Sequence, residues 1–148
     1  MKFTLDHILQ LPRVLIPRLR GGRAANDAWQ GIARDVIERF VDVQCVQFGI
    51  GRSGRAAYRQ DLRALDEWMA RTAGRTLITA GAEDLRRYFS DCASAGLPVP
   101  MLLRSLSSMS SFYRFLREGG CRRDDPVEQL MVDLQVRRQS FVAACTTA

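Results

Sequence analysis

Apolar residues recur at helical spacing in four successive stretches of this 148-residue chain, and glycine follows each stretch. The first predicted helix runs from Asn26 to Phe48, with Asn26 or Asp27 as its cap. The other three cover about residues 52–72, 82–95 and 99–118. No stretch alternates apolar and polar residues as a half-buried strand does, so the sequence predicts an all-α fold.

A short fifth helix is predicted after Asp125, because a capping aspartate followed by Pro126 at the first helical position is a favoured start. Its apolar face would contain Val127, Leu130, Met131 and Leu134. For the four longer helices, the inward-facing residues are predicted to be Trp29, Ile32, Val36, Ile37, Phe40, Val41, Phe48, Tyr58, Leu62, Leu65, Met69, Leu85, Phe89, Cys92, Leu102, Leu106, Met109, Tyr113 and Leu116.

The domain organisation expected from these patterns is simple. Residues 1–25 form a basic extension that can hold one short helix, residues 26–135 form one domain, and residues 136–148 form a tail. Four widely spaced cysteines and the single histidine, His7, do not make a zinc site, and we expect no cofactor or metal. With no apolar run long enough to span a bilayer, we expect no membrane contact and a cytoplasmic location.

Charge differs sharply from helix to helix. The whole chain carries a net charge of +6, and Lys2 is the single lysine among its 22 basic residues. Residues 49–75 hold six arginines against three acidic residues, and residues 98–123 hold five against one, whereas residues 26–48 have a net charge of −2. The second and fourth helices are therefore the basic ones, which favours a polyanion such as nucleic acid as partner.

Helical projection places the basic residues of each helix together. On the second helix, Arg52, Arg55, Arg59 and Arg63 form one stripe beside the buried face. On the fourth helix, arginines alternate with short hydroxyl side chains away from the apolar face; these residues are Arg104, Ser107, Ser108, Ser111 and Arg114. Such a surface can bond phosphates and base edges. It can equally be a solvated surface, with Arg63 and Glu67 as an ordinary helix pair.

Three motifs resemble those of one known family. Residues Ala57–Leu62 resemble its A-Y-R-x-D-L motif, and Glu83–Phe89 resemble its E-D-L-x-x-Y-L helix. Residues Leu106–Gly119, followed by Asp124–Pro126, resemble its L-S-A-L-R-S-F-Y-R-F-L-x-x-E-G…D-D-P run. Order and spacing agree over about residues 35–130, so the chain resembles the N-terminal core-binding (SAM-like) domain of tyrosine recombinases and phage integrases of the Xer type.

The resemblance implies a four-helix domain of two crossed helical hairpins that closes over double-stranded DNA, with the second and fourth helices at the major groove. The DNA contacts implied by position are Arg52, Ser53, Arg55, Arg59, Arg104, Ser105, Ser107, Ser108 and Ser111, to which the charge pattern adds Arg63 and Arg114. Positions that match the family core are Tyr58, Leu62, Trp68, Leu85, Leu106, Met109, Phe112 and Tyr113.

The chain departs from the family pattern in two regions. Residues Gly51–Gly54 replace the usual S-x-x-T opening of the second helix, and serines 105 and 110 stand where the family has arginine. After Leu134 the sequence shows no tyrosine and no histidine, although the catalytic domain of the family needs both beside its arginines. Strand cleavage by this chain alone is therefore not expected, and neither is a small-molecule substrate.

Two other interpretations stay open from the sequence. A truncated recombinase-like chain could act as a protein-interaction module that binds a recombinase or itself, with Phe112 and Phe115 as its surface, unless these two rings pack on the fifth helix or the N-terminal segment. Alternatively, the chain is one expressed domain of an intact recombinase. The partners expected are double-stranded DNA and other recombinase protomers, at the nucleoid.

Overall fold

The computed structural model describes the backbone of residues 23–135 and the side chains of residues 27–135. Most of the extension predicted for residues 1–25, including its short helix, lies outside the described residues, as does the whole tail 136–148.

Five α-helices make up this part of the chain, and no strand occurs within it, which confirms the all-α prediction. The helices are α1 (Arg23–Phe48), α2 (Arg52–Ala73), α3 (Ala82–Ser94), α4 (Val99–Glu118) and α5 (residues 126–135). A 3-10 turn that the sequence did not reveal, Leu77–Thr79, lies between α2 and α3. No helix among these has the length and apolarity needed to cross a membrane.

The helix ends follow local sequence signals at several places. Gly74 adopts a left-handed conformation with φ 61° after α2, and its N–H donates to the Met69 carbonyl, which ends the helix as predicted. The Asp125 carboxylate accepts from the N–H groups of Val127 at 2.9 Å and Glu128 at 3.2 Å, which confirms the predicted cap of α5. Gly51 precedes α2 without any side-chain cap.

The start of α1 differs from the prediction. The helix begins at Arg23, so Asn26 and Asp27 lie inside its first turns and do not cap it. Residues 24 and 25 are alanines, the strongest helix formers, and the helix continues through them towards the N-terminus. The prediction of a start at Asn26 was therefore wrong by about one turn.

Two helical hairpins, α1–α2 and α3–α4, pack mainly through α2 and α4. The Phe40 ring of α1 lies in the middle of the core, at centroid distances of 5.2 Å from Tyr58, 5.5 Å from Phe112 and 5.6 Å from Phe115. Because α1 covers this flank of α4, Phe112 is fully buried and Phe115 is 8% exposed. The hypothesis that these two rings form a protein-interaction surface is wrong.

Other core predictions need smaller corrections. Phe48 is 68% exposed, because no described helix covers that side of the last turn of α1. Met131 and Leu134 are about half exposed, so only the first turns of α5, through Val127 and Leu130, join the core. On α3 the more deeply buried ring is Tyr88, packed edge-on against Trp68, and Phe89 is half-buried beside it.

Candidate nucleic-acid interface

The basic residues predicted to bind DNA lie on two different flanks of α2. Residues two apart on a helix point about 200° away from each other, so Arg59 and Asp61 face opposite sides. We call the side of Arg55, Arg59 and Arg63 the α1 flank, because these side chains contact α1. The side of Asp61, which contacts α4, is the α4 flank.

On the α1 flank, two arginines share one carboxylate of the acidic helix α1. Arg59 Nε donates to Glu38 Oε1 at 3.0 Å and to Oε2 at 2.9 Å, and Arg63 Nη2 donates to Oε1 at 3.1 Å. All three side chains are between one third and about one half exposed. A DNA phosphate that used these guanidinium groups would have to compete with Glu38 for them.

Closer to the start of α2, the predicted residues differ in exposure. Arg55 is half-buried, its Nη2 contacts the Cys45 thiol, and its Nε is buried with no hydrogen-bond partner. Arg52 and Ser53 are both exposed in the first turn of the helix. The stripe predicted on α2 therefore exists, but only Arg52 is free of a partner on α1 among the pairs that the structure describes.

On the α4 flank, a buried aspartate gathers donors from α4. The Asp61 side chain is 3% exposed. It accepts hydrogen bonds from Arg104 Nη2 at 2.7 Å, Arg104 Nε at 3.3 Å, Ser108 Oγ at 2.8 Å and Ser105 Oγ at 3.2 Å. The Arg104 side chain is still 43% exposed, and the hydrogen bond with Asp61 raises the pKa of its guanidinium, so it stays charged.

The remaining predicted residues of α4 lie beside Arg104 on the same side of the helix. Ser107 and Arg114 are exposed and Ser111 is half-buried. Ser111 and Arg114 also line a groove of about 380 Å³, whose opposite walls are the end of α1 and Tyr58 of α2. Arg104, Ser107, Ser111 and Arg114 fall within about 80° of the helix circumference.

The structure thus brings some predicted residues together and separates others. Helices α2 and α4 touch, as the two-hairpin expectation requires. The exposed predicted residues of α4 form one surface, whereas Arg55, Arg59 and Arg63 lie on the other flank of α2, the α1 flank. Ser105 and Ser108 are buried, at 8% and 4% exposure, and their hydroxyls donate hydrogen bonds to the Asp61 carboxylate.

Sequence reasoning missed the two carboxylates that organise these flanks. Asp61 is the single acidic residue among the first fourteen residues of α2, and it occupies the acidic position of the A-Y-R-x-D-L motif. An isolated acid in a basic helix is a signal that could have marked it. Glu38 has no such signal, because α1 holds several acidic residues.

The three tyrosines of the chain are buried or half-buried among the described helices. Tyr113 Oη donates to the Leu77 carbonyl at 2.6 Å, and burial raises the pKa values of both Tyr113 and Tyr88. Tyr58, the third tyrosine, is half-buried against Phe40. Within the described residues, no group of histidine, cysteine and acidic side chains has an arrangement suited to a metal ion.

Comparison with known proteins agrees with the motifs. The family model of the phage integrase N-terminal SAM-like domain matches residues 37–120, more than half of the chain. Tyrosine recombinase XerD of Agrobacterium fabrum is 36% identical over 90 residues, which cover 61% of this chain and 27% of that protein. Tyrosine recombinase XerD of Rhizobium meliloti is 33% identical over 90 residues, covering 61% and 29%.

The chain therefore aligns with less than one third of the length of these curated relatives. No solved structure matches it significantly. The matched residues include α2, α3 and α4, with both flanks described above, and begin within α1. By its helical fold and by this match over more than half its length, the chain belongs to the family of phage integrase N-terminal SAM-like domains.

Proposed function

We propose that this chain is a double-stranded DNA-binding module of the tyrosine recombinase class. The observation that carries the proposal is the exposed surface on α4, where Arg104, Ser107 and Arg114 follow one another along one side of the helix that packs on α2. The curated relatives support the class, because each is a tyrosine recombinase by name. The net charge of +6 favours the same polyanionic partner.

The dimensions of this surface suit a DNA groove. Residues 104 and 114 are ten positions apart, so the surface extends about 15 Å along α4. The major groove of B-DNA is about 12 Å wide and admits a helix. Short hydroxyl side chains between the arginines let the helix backbone approach, while the guanidinium groups bond phosphates or guanine edges.

We assign the predicted residues to different roles within this function. The proposed direct contacts are Arg52, Ser53, Arg104, Ser107, Ser111 and Arg114. Ser105 and Ser108 would act indirectly, since their hydroxyls bind Asp61. Arg55, Arg59 and Arg63 would contribute at the edge of the interface, Arg59 and Arg63 after exchanging Glu38 for phosphate.

A binding titration over a series of salt concentrations tests the proposal. With a 30-base-pair duplex of mixed sequence and four to six arginine–phosphate contacts, log K plotted against log salt should have a slope of about −4 to −5. Arg114→Gln should make the slope less steep by the amount that one arginine–phosphate contact contributes. Glu128→Gln, on α5, is the control that should not change it. Absence of duplex binding at 50 mM salt would refute the function.

We further propose that this chain alone does not cleave DNA. Its three tyrosines are buried or half-buried, and the raised pKa values of Tyr88 and Tyr113 are the opposite of what a nucleophile needs. Incubation with nicked or intact duplex should yield no covalent protein–DNA adduct on a denaturing gel. A tyrosine-linked adduct would contradict this proposal without affecting the binding proposal.

DNA as partner would place the chain at the nucleoid, in the cytoplasm. Other recombinase protomers stay a second proposed partner. Light scattering of the protein–duplex complex tests this proposal. A module that pairs on DNA should give a mass of two chains per duplex. An independent module should give a mass that rises with the number of binding sites on the duplex.

A further inference from the structure

We propose that Asp61 is a positioning residue that holds Arg104 in one orientation, so that the free edge of the guanidinium reads a guanine and sets sequence preference at one base pair. The inference rests on the proposed DNA binding and adds a specificity role to one of its residues. Neither Asp61 nor its burial was part of the basic surface predicted from charge.

The hydrogen bonds leave one defined edge of Arg104 free. A guanidinium group is planar and carries five N–H donors. Asp61 takes the edge formed by Nε and Nη2, at 3.3 Å and 2.7 Å. The edge formed by Nη1 and the outer N–H of Nη2 keeps two parallel donors, the arrangement that matches the O6 and N7 acceptors of guanine in the major groove.

The carboxylate that directs this edge is itself fixed. Asp61 is 3% exposed and accepts from the hydroxyls of Ser108 at 2.8 Å and Ser105 at 3.2 Å. Both serines belong to α4, as Arg104 does, so the aspartate of α2 is oriented by the helix that presents the arginine. A donor fixed before binding loses less conformational freedom on binding and discriminates better between bases.

The exposure of Arg104 distinguishes the Arg104–Asp61 pair from an ion pair that only stabilises the fold. Its side chain is 43% exposed although its partner is almost completely buried. The exposed part lies on the α4 surface with Ser107 and Arg114. On the α1 flank the carboxylate of Glu38 is 39% exposed and shared by two arginines, so neither arginine is held by a buried anchor there.

Selection from a duplex library with a randomised 20-base-pair core tests the inference. Wild-type protein should enrich guanine at one position or more. Arg104→Gln and Asp61→Asn should each lose the preference at the same position and bind the wild-type consensus about tenfold more weakly. The double variant should bind no more weakly than Arg104→Gln, because Asp61 acts through Arg104.

Controls separate positioning from folding. Glu128→Gln removes an exposed carboxylate from the ion pair with Arg117, and it should leave the base preference unchanged. Urea unfolding establishes that each variant is folded. If Asp61→Asn does not fold, Ser108→Ala takes its place; it removes one hydrogen bond from Asp61 and should weaken the same base preference partially.

Three results would overturn the inference. A folded Asp61→Asn, or Ser108→Ala in its place, could keep the full preference. Arg104→Gln could weaken binding equally for every sequence and reduce the salt slope by about one, which would make Arg104 a phosphate contact. Asp61→Asn could weaken binding further in the Arg104→Gln background. Wild-type protein that binds no duplex would instead refute the proposed function.

Discussion

The two flanks of α2 use the same pair of chemical groups in opposite ways. On the α1 flank, Arg59 and Arg63 meet Glu38, and all three side chains are in contact with solvent. On the α4 flank, Arg104 meets Asp61, whose side chain is 3% exposed and receives two further hydroxyl donors. Solvent-exposed ion pairs contribute little to stability, whereas a buried carboxylate depends on its donors.

This comparison also changes how the charge of a helix should be interpreted. Counting residues gave α2 a surplus of arginines, but Glu38 of the acidic helix α1 already binds two of them. The surplus on α4 is more available, because Arg114 is exposed and Arg104 keeps a free edge. Charge per helix therefore overestimated the number of free cations on α2, and the contact of α2 and α4 with DNA stays a prediction.

Removing the buried carboxylate should have the largest effect. Asp61→Ala leaves two buried serine hydroxyls and half of a guanidinium without their acceptor, so we expect a loss of about 2–3 kcal/mol in the free energy of unfolding, less than for a fully buried pair because Arg104 is partly in water. Urea unfolding measures this. A loss below about 1 kcal/mol would mean that the two flanks are energetically alike.

Removing one donor from the same carboxylate should have an intermediate effect. Ser108→Ala deletes the 2.8 Å hydrogen bond to Asp61 at a position that is 4% exposed. The expected loss is about 1 kcal/mol, the usual contribution of a hydrogen bond. Ser107→Ala, at an exposed position of the same helix, is the matched control for unfolding and should change stability by no more than a few tenths of a kcal/mol.

Removing the carboxylate of the α1 flank should affect stability less, and it should strengthen DNA binding. Glu38→Gln should change the free energy of unfolding by about 0–1 kcal/mol, because the pair is exposed. Affinity for a mixed-sequence duplex should rise a few-fold at low salt, since Arg59 and Arg63 no longer share a competing anion, and the gain should shrink at high salt. Weaker binding by this variant would contradict the competition between Glu38 and phosphate.

The smallest effect concerns the pH dependence of Asp66, which follows Asp61 as the second carboxyl group of α2. Burial raises its pKa above the ordinary 3.8, although its Oδ1 accepts from the Leu77 N–H at 2.9 Å. The folded protein therefore keeps this proton to higher pH than the unfolded chain. The contribution of Asp66 to the free energy of unfolding is full below pH 3.8 and is lost as the pH rises through the raised pKa.

Asp66→Asn removes this titration while keeping an oxygen for the Leu77 N–H. The difference in free energy of unfolding between variant and wild type should shift in favour of the variant as the pH rises through that window. Urea unfolding at several pH values measures the difference. A difference that stays constant with pH would show that the Asp66 carboxyl is not shifted by burial.

Local features of the fold were predictable from the sequence, and contacts between distant residues were not. Gly74 and the Asp125–Pro126 pair act within one helix end, so their role follows from neighbouring residues alone. Arg104 and Asp61 are 43 positions apart, and no periodicity within one helix connects them. The burial of Phe112 likewise depends on where α1 lies, which a projection of α4 by itself does not contain.

The same limit explains the mixed result for the predicted site. Ser105 and Ser108 were selected as hydroxyl-bearing residues of a basic helix, and that composition does not tell whether a hydroxyl faces water or a neighbouring helix. Their angular positions on α4 place both serines towards the buried side of the helix, where the Asp61 carboxylate accepts their hydrogen bonds. For these two serines the remaining prediction is an indirect role in DNA binding, through their hydrogen bonds to Asp61.

The most direct test of the DNA-binding surface is an NMR titration of the ¹⁵N-labelled chain with a mixed-sequence 20-base-pair duplex at 50 mM salt. We expect the largest shifts in the backbone amides of residues 104–114 and at the start of α2, with the middle of α1 little affected. Shifts confined to α1, α3 or α5, or no shifts at all, would contradict this expectation.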